Sequence, residues 1–256
     1  MAFTNLILQK KNGVAILTLN RPQVLNATDI ATCREMVEAI KDVEQDDRIG
    51  VLVLTGAGKA FSAGQDMKEL RQVKTREPIV VLRTALAALA DMTKPVIAAV
   101  NGYCDSAALE IVLICDIIIA SESAVFVDHH ARFGLIQGGG ATQRLPRWVG
   151  RSRAMEMLLT DEEVPAREAY VMGLVSHVVP DDKLMARAED LARKIIKNDP
   201  TSIKGTKFLV KQSEKMDLAS GLELEGAENA RWWKEGRGGY SSERLKILWA
   251  EKKTTN

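Results

Sequence analysis

A single carboxylate stands in an otherwise apolar stretch of the chain. Glu110 is the only polar residue between positions 107 and 114, a stretch that we predict to be helical. Burying an ionised carboxylate without a partner is costly, so Glu110 must be paired, be neutralised by a raised pKa, or face a cavity. A structural carboxylate bonded to a neighbouring loop and a catalytic acid or base explain this feature equally well.

The position of Glu110 relative to the helix start adds a chemical argument. Ala107 lies near the predicted start, where backbone N–H groups lack partners within the helix. Glu110 follows one turn later, about 4.5 Å further along the same face, so an N–H donor and a carboxylate can address one small substrate. Enolate chemistry needs this pairing, because donors must lie where charge develops on oxygen and a base must lie beside the adjacent carbons.

Asp128-His129-His130 offers a second group of reactive side chains. Consecutive residues on an extended segment point to opposite faces, and His177 is the only other histidine, so we expect no metal site. Gly138-Gly139-Gly140 lacks both the Lys-Ser/Thr of a P-loop and the spacing of a dinucleotide-binding fold. We interpret it as close packing around a pocket.

Strands and helices alternate through the first 180 residues. Short apolar runs predict strands, and apolar residues at helical spacing between charges predict helices. Strands are expected at 14–19, 51–54, 95–100 and 117–120, and helices at 29–44, about 79–89 and 106–115, with Ser106 as the cap of the last helix. The alternation predicts an α/β core of parallel strands with functional groups on loops at the strand ends.

Beyond Pro180 the pattern becomes helical. Helices are expected at 181–197, 201–216, 218–234 and 241–252. We therefore divide the chain into a core at 1–180 and a C-terminal helical region at 181–256.

The overall composition narrows the classes of function. Lys and Arg number 35 against 34 Asp and Glu, and a net charge of +1 gives no field that would hold a nucleic acid. Cys33, Cys104 and Cys115 are odd in number and widely spaced, which favours a reducing cytoplasm over a disulfide framework. No segment predicts a signal peptide or a membrane span, so we expect a cytoplasmic protein.

Two longer motifs resemble a known family. Residues 59–68 read Lys-Ala-Phe-Ser-Ala-Gly-Gln-Asp-Met-Lys, and residues 94–103 read Lys-Pro-Val-Ile-Ala-Ala-Val-Asn-Gly-Tyr, followed by Glu110 and Cys115-Asp116. Gly138 to Leu145 and Gly150-Arg151 continue the pattern. These segments resemble the crotonase, or enoyl-CoA hydratase/isomerase, family, and the similarity extends from about Val14 to Val179.

The resemblance implies a crotonase-like spiral of ββα units, with C-terminal helices that assemble a homotrimer or a dimer of trimers. It implies an acyl-CoA thioester as substrate and no cofactor beyond the coenzyme A that the substrate carries. The backbone N–H groups of Gln65 and Ala107 would form an oxyanion hole for the thioester carbonyl, and Glu110 would be one of two acid/base groups. Contacts with the acyl-CoA are expected from Ala63, Asp66, Met67, Lys68 and Lys252, although Asp66 also fits a helix cap.

Two positions depart from the family pattern. Asp105-Ser106-Ala107-Ala108 stands where relatives have a glycine-rich stretch, and each added Cβ restricts the backbone. His130 stands where hydratases have their second catalytic glutamate. An imidazole can replace that carboxylate near neutral pH, particularly if Asp128 orients it. Equally, His130 can be a hydrogen-bonded core residue, which leaves Glu110 as the only base.

The resemblance favours an enoyl-CoA hydratase. If Glu110 acts alone, an enoyl-CoA isomerase or an acyl-CoA hydrolase or decarboxylase fits better. A non-catalytic acyl-CoA-binding protein is the alternative of another class. An RNA-binding relative is disfavoured, because the helix at 34–48 carries six acidic residues that would repel phosphate: Glu35, Glu38, Asp42, Glu44, Asp46 and Asp47.

Overall fold

The computed structural model describes residues 3–73 and 75–235, in two compact units, Met1–Lys204 and Gly205–Asn256. The strands are β1 Leu6–Lys11, β2 Val14–Leu19, β3 Val51–Gly56, β4 Ala60–Ser62, β5 Val96–Val100, β6 Tyr103–Asp105, β7 Ile117–Ser121, β8 Val125–Val127, β9 Val164–Pro165 and β10 His177–Val179. The helices are α1 Ile30–Gln45, α2 Met67–Gln72, α3 Glu77–Asp91, α4 Ala107–Val112, α5 Ala141–Val149, α6 Arg151–Thr160, α7 Ala166–Val171, α8 Leu184–Ile196, α9 Pro200–Ser213 and α10 Leu218–Lys234.

The larger sheet has six strands in the order β1-β2-β3-β5-β7-β10. Only the β1–β2 pair is antiparallel, and the other neighbours are parallel. The four strands expected from the apolar runs are β2, β3, β5 and β7, and they lie side by side in this sheet. The α/β core with parallel strands is therefore as predicted.

Both faces of this sheet are covered at β3, β5 and β7, which explains why these strands are continuous apolar runs rather than alternating ones. On β3, Leu52 and Leu54 face the main core together with α1 and α3, whereas Val51 and Val53 face a second cluster. That second cluster includes Leu184, Ala188 and Ala192 of α8. Helix α8 therefore packs on the sheet and belongs to the first compact unit.

A smaller sheet positions the loops that carry the reactive residues. Its order is β4-β6-β8-β9, and β4, β6 and β8 run parallel to one another. Parallel neighbours end at the same edge of a sheet, so the segments that follow Ser62, Asp105 and Val127 meet there. The sequence patterns did not predict this sheet, because strands of three residues are too short to show a period.

The helices expected after Pro180 are found as α8, α9 and α10, with ends that differ by a few residues from the predicted ones. No residue of α10 is buried, and the same holds for α9. The helix expected at 241–252 lies outside the described residues. Within the described ranges, no helix combines the length and apolar character needed to cross a membrane. A role of this region in oligomerisation stays a prediction.

Candidate active site

Three loops at the carboxyl edge of the small sheet form the candidate site. Gln65 follows β4, Ala107 follows β6, and His130 follows β8. The first two loops lie against each other, since a Cβ atom added to Gly64 would lie 3.3 Å from the Ala107 backbone nitrogen. The structure thus brings together the segments that the sequence analysis selected.

Glu110 lies on α4 with 1% of its surface exposed. Its Oε1 atom accepts hydrogen bonds from the backbone N–H groups of Gly139, at 2.7 Å, and Ala141, at 3.2 Å. Burial raises the pKa of Glu110, and this effect outweighs the two donors and the nearby charge of His130, which favour the ionised form. The carboxylate is thus poised to gain or lose a proton closer to neutral pH than an exposed glutamate.

The glycine segment before α5 is shaped around Glu110. A Cβ atom on Gly139 would overlap the Glu110 carboxylate and the side chain of Leu86, so only glycine allows this approach. Gly140 has a φ of 114°, and the guanidinium of Arg144 donates to the Gly139 carbonyl at 2.9 Å. The glycines are closely packed, and the partners of Gly139 include the catalytic candidate itself, whereas packing around a pocket stays a prediction.

The backbone around Gln65 is fixed by a bridge to Thr28. Thr28 accepts from the Asp66 N–H at 3.0 Å and donates to the Gly64 carbonyl at 2.7 Å, which makes Gln65 the centre of a parallel bridge. In that geometry the N–H group of Gln65 itself points away from Thr28. Within residues 3–73 and 75–235, neither this N–H group nor that of Ala107 donates a hydrogen bond.

Ser106 holds an unusual backbone conformation directly before Ala107. Its φ is 49° and its ψ is −106°, in a region that residues with a Cβ rarely adopt. Its Oγ donates to Asp105 Oδ1 at 2.6 Å and accepts from the His129 N–H at 3.0 Å, while its own N–H donates to the Val127 carbonyl at 3.0 Å. The expected capping bond from the Ser106 side chain is absent from the described structure, because the hydroxyl is turned to Asp105.

His130 is paired with a fully buried carboxylate. Its Nδ1 lies 3.0 Å from both oxygens of Asp128, and its backbone N–H donates to Oδ1 at 3.1 Å. Burial alone would lower the pKa of His130, but the hydrogen bond and charge of Asp128, with the charges of Glu110 and Asp105, raise it above the usual value. His130 and Glu110 are therefore near enough to affect each other electrostatically.

The neighbouring His129 has a different carboxylate partner. Its Nδ1 lies 2.9 Å from Asp105 Oδ2, on the β6 side of the site. The two imidazoles thus pair with carboxylates of different segments. The chain is not extended at His130, as the sequence analysis had assumed, because this residue has helical φ and ψ. In the described part of the chain, no group of three or more His, Cys, Asp and Glu side chains is arranged to hold a metal ion.

The residues expected to contact the substrate differ in their exposure and in the bonds that they already make. Asp66 caps α2, accepting from the Lys68 and Glu69 N–H groups, and also pairs with Arg21 at 3.1 Å. The Ala63 N–H donates to the Leu25 carbonyl. Met67 is half-buried and Lys68 is exposed. Lys252 lies outside the described residues, and all five contacts stay predictions.

Sequence reasoning missed Gln137, whose Nε2 donates to Asp128 Oδ1 at 3.0 Å. It also missed Arg21, which joins the caps of α1 and α2 by pairing with Asp29 and Asp66 at 3.1 Å each. For Gln137 a signal existed: it is the one amide in the stretch between the histidines and the triple glycine.

The amino-acid sequence is similar to those of known proteins of one family. The family model described as enoyl-CoA hydratase/isomerase matches residues 9–252. The short-chain-enoyl-CoA hydratase of Clostridium acetobutylicum is 38% identical over 229 residues, 88% of each chain. The 2,3-dehydroadipyl-CoA hydratase of Escherichia coli is 37% identical over 223 residues, 87% of this chain and 88% of that one.

A solved structure shares this fold. The enoyl-CoA hydratase of Bacillus anthracis has a TM-score of 0.89 and 32% identity, and the match covers 98% of this chain and 97% of that one. The crotonase-like architecture implied by the two sequence motifs is confirmed. The chain belongs to the enoyl-CoA hydratase/isomerase family.

Proposed function

We propose that this protein is an enoyl-CoA hydratase, which adds water across the α,β double bond of an acyl-CoA thioester. The observation that carries the proposal is that the segment after β8 serves both reactive groups: His130 at its start pairs with the buried carboxylate of Asp128, and Gly139 at its end donates to the buried carboxylate of Glu110. Relatives that are named hydratases and match most of the chain support it. The substrate carries coenzyme A, and the chemistry needs no further cofactor.

The backbone donors stabilise the charge that develops on oxygen. The thioester carbonyl would accept hydrogen bonds from the N–H groups of Gln65 and Ala107. As the water oxygen bonds to the β-carbon, the double-bond electrons move toward the carbonyl oxygen and give an enolate. One water proton is removed and one proton is added to the α-carbon, so the net change is the addition of one water. Fixed donors aimed at the enolate oxygen lower the barrier because they need no reorganisation.

Glu110 and His130 supply the two proton transfers. The Nδ1 of His130 bonds Asp128, so its Nε2 is the nitrogen left for water or substrate. Raised pKa values on both groups bring them toward the range in which one can accept a proton while the other donates one. An imidazole held by a carboxylate thereby takes the place of a second glutamate.

Hydration of crotonyl-CoA by Glu110→Gln tests the proposal. The amide keeps the volume of the side chain but cannot transfer protons, so we expect thioester binding to persist and turnover to fall by roughly 10²- to 10⁴-fold. Glu156→Gln, on the exposed face of α6, is the matched control and should be fully active. Unchanged hydration by Glu110→Gln would make Glu110 a structural residue and end the proposal.

The oxyanion hole is tested separately by Ala107→Pro. Proline removes the backbone N–H group without altering a reactive side chain, so activity should be abolished. The result counts when the variant keeps the melting temperature and assembly state of the parent protein. Full activity in such a folded variant would exclude Ala107 as an oxyanion donor.

A homotrimer or dimer of trimers in the cytoplasm completes the proposal. Apolar side chains are exposed along α9 and α10, and burying them between subunits would remove this surface from water: Phe208, Val210, Leu218, Leu222 and Trp233. The three free, buried cysteines fit a reducing compartment. Light scattering of the purified chain tests the assembly, and a monomer at micromolar concentration would contradict it.

A further inference from the structure

One side chain in an exposed segment turns inward. Between positions 131 and 138 every residue is exposed except Gln137, which is half-buried. Its amide Nε2 donates to Asp128 Oδ1 at 3.0 Å. The same segment reaches Gly139 two residues later, where the backbone N–H group donates to Glu110. Gln137 thus fastens to Asp128 a segment whose two ends serve the two proposed acid/base groups.

Asp128 is unusual as a charged partner because it is completely buried. Its described hydrogen-bond donors are the backbone N–H and Nδ1 of His130 and the amide of Gln137, and no Lys or Arg in residues 3–73 or 75–235 forms an ion pair with it. A buried carboxylate needs all of its few donors, since each one missing leaves charge unsatisfied. The amide of Gln137 therefore helps to set the orientation of the Asp128 carboxylate.

We propose that Gln137 is a positioning residue that sets the orientation and proton affinity of His130 through Asp128. The inference rests on the proposed function, in which His130 exchanges protons with water. The charged groups acting on the imidazole are Asp128, Glu110 and Asp105. A neutral donor on Asp128 moderates the pull of that carboxylate on the Nδ1 proton, and it prevents the carboxylate from rotating away from the ring.

The test is NMR titration of the imidazoles in ¹⁵N-histidine-labelled protein. The chain has three histidines, so His129 and His177 serve as internal references. Gln137→Glu replaces the neutral donor by a second carboxyl group beside Asp128, and as this pair gives up its shared proton the added negative charge should raise the pKa of His130 by about one unit. Gln143→Glu adds the same charge on an exposed position of α5 and should leave the His130 titration in place.

Gln137→Met removes the donor but keeps the length of the side chain. We expect the imidazole of His130 to lose its single fixed tautomer, kcat for crotonyl-CoA to fall about tenfold, and KM to change less than twofold. A role limited to holding the loop would lower stability without moving the His130 titration. If Gln137→Glu does not fold, the tautomer in Gln137→Met decides the question.

Failure of this inference is distinguishable from failure of the proposed function. An unchanged His130 pKa in Gln137→Glu and an unchanged tautomer in Gln137→Met would overturn the positioning role, whatever the activity. If the titration shifts as expected while His130→Ala hydrates crotonyl-CoA normally, Gln137 still positions His130. In that case the assignment of His130 to the reaction is wrong.

Discussion

Two histidines adjacent in sequence have carboxylate partners on different strand ends. His129 bonds Asp105, which also holds the hydroxyl of Ser106 and so belongs to the support of the backbone before Ala107. His130 bonds Asp128, which is fully buried, and its charge environment includes Glu110. The difference teaches that a histidine–aspartate pair is distinguished by what its carboxylate holds in addition: the hydroxyl of Ser106 in one case, the amide of Gln137 in the other.

The largest expected effect separates the two imidazoles directly. His130→Ala should lower kcat for the native enoyl-CoA by roughly 10²- to 10⁴-fold, because a proton-transfer group is lost. His129→Ala removes only a support of the loop, and we expect less than about a tenfold loss. Steady-state kinetics on both variants, with melting temperatures as control, makes the comparison. Normal turnover by His130→Ala beside an inactive Glu110→Gln would favour a single-base reaction such as double-bond isomerisation.

Replacing the histidine by the usual glutamate sharpens the same point. His130→Glu restores a pair of carboxylates, so crotonyl-CoA hydration should be kept or raised relative to the parent protein. A variant as inactive as His130→Ala would show that the surroundings of Asp128 admit only an imidazole.

The next largest effect concerns the two aspartates. Asp128→Asn removes the charge that raises the pKa of His130, so the ionisation of His130 in the pH–rate profile should move to lower pH and kcat should fall at least about tenfold. Asp105→Asn should leave that ionisation near its original position, because Asp105 contributes the smallest of the named effects. If the ionisation of His130 moved equally in both variants, Asp128 would have no greater effect on His130 than Asp105 has.

A smaller effect is expected in the pH dependence of stability, and it concerns Glu110. The pKa of Glu110 is raised by burial, so the fold prefers the protonated acid, and this preference is lost as the pH rises through the raised pKa. The stability of Glu110→Gln relative to the parent should therefore increase from about pH 4.3, the ordinary pKa of a glutamate, upward through the raised pKa. Thermal melts across this range measure it, and a constant difference would mean that Glu110 does not titrate differently in the folded chain.

The four central strands of the large sheet were predictable, whereas its edge strands β1 and β10 and the small sheet were not. β2, β3, β5 and β7 read as apolar runs, the last three because they are buried on both faces, whereas β4, β6 and β8 have three residues each. The loops of the site depend on the small sheet. The motifs identified residues in these loops, but they did not show that the loops meet at one edge of a sheet.

Within the site, the sequence showed that a charged side chain would be buried, but it did not show the backbone conformation around it. Glu110 was identified because a carboxylate among apolar residues demands a partner. The support from Gly139 and Gln137 comes from residues about thirty and ten positions away from their partners, and no local pattern reports such contacts. Ser106 was expected to cap a helix, and its positive φ directs its hydroxyl elsewhere.

The smallest expected effect tests the supporting role of the His129 pair through Ser106. Glycine adopts the conformation of this residue without strain, whereas any side chain there is held at a cost of about 1–3 kcal/mol. Ser106→Ala loses the Oγ hydrogen bonds and keeps the strain, so it should destabilise by about 1–3 kcal/mol. Ser106→Gly loses the same bonds and releases the strain, so its stability should stay within about 1 kcal/mol of the parent.

Urea unfolding of the two variants measures the difference, and hydration of crotonyl-CoA shows whether the Ala107 donor is kept. Ordinarily alanine is at least as stabilising as glycine, because glycine costs more chain entropy on folding. Greater stability of Ser106→Gly than of Ser106→Ala therefore requires strain at this position. The reverse order would mean that the hydrogen bonds of Asp105 and His129 do not hold Ser106 against its own preference, and the His129 pair would then have no supporting role at this backbone position.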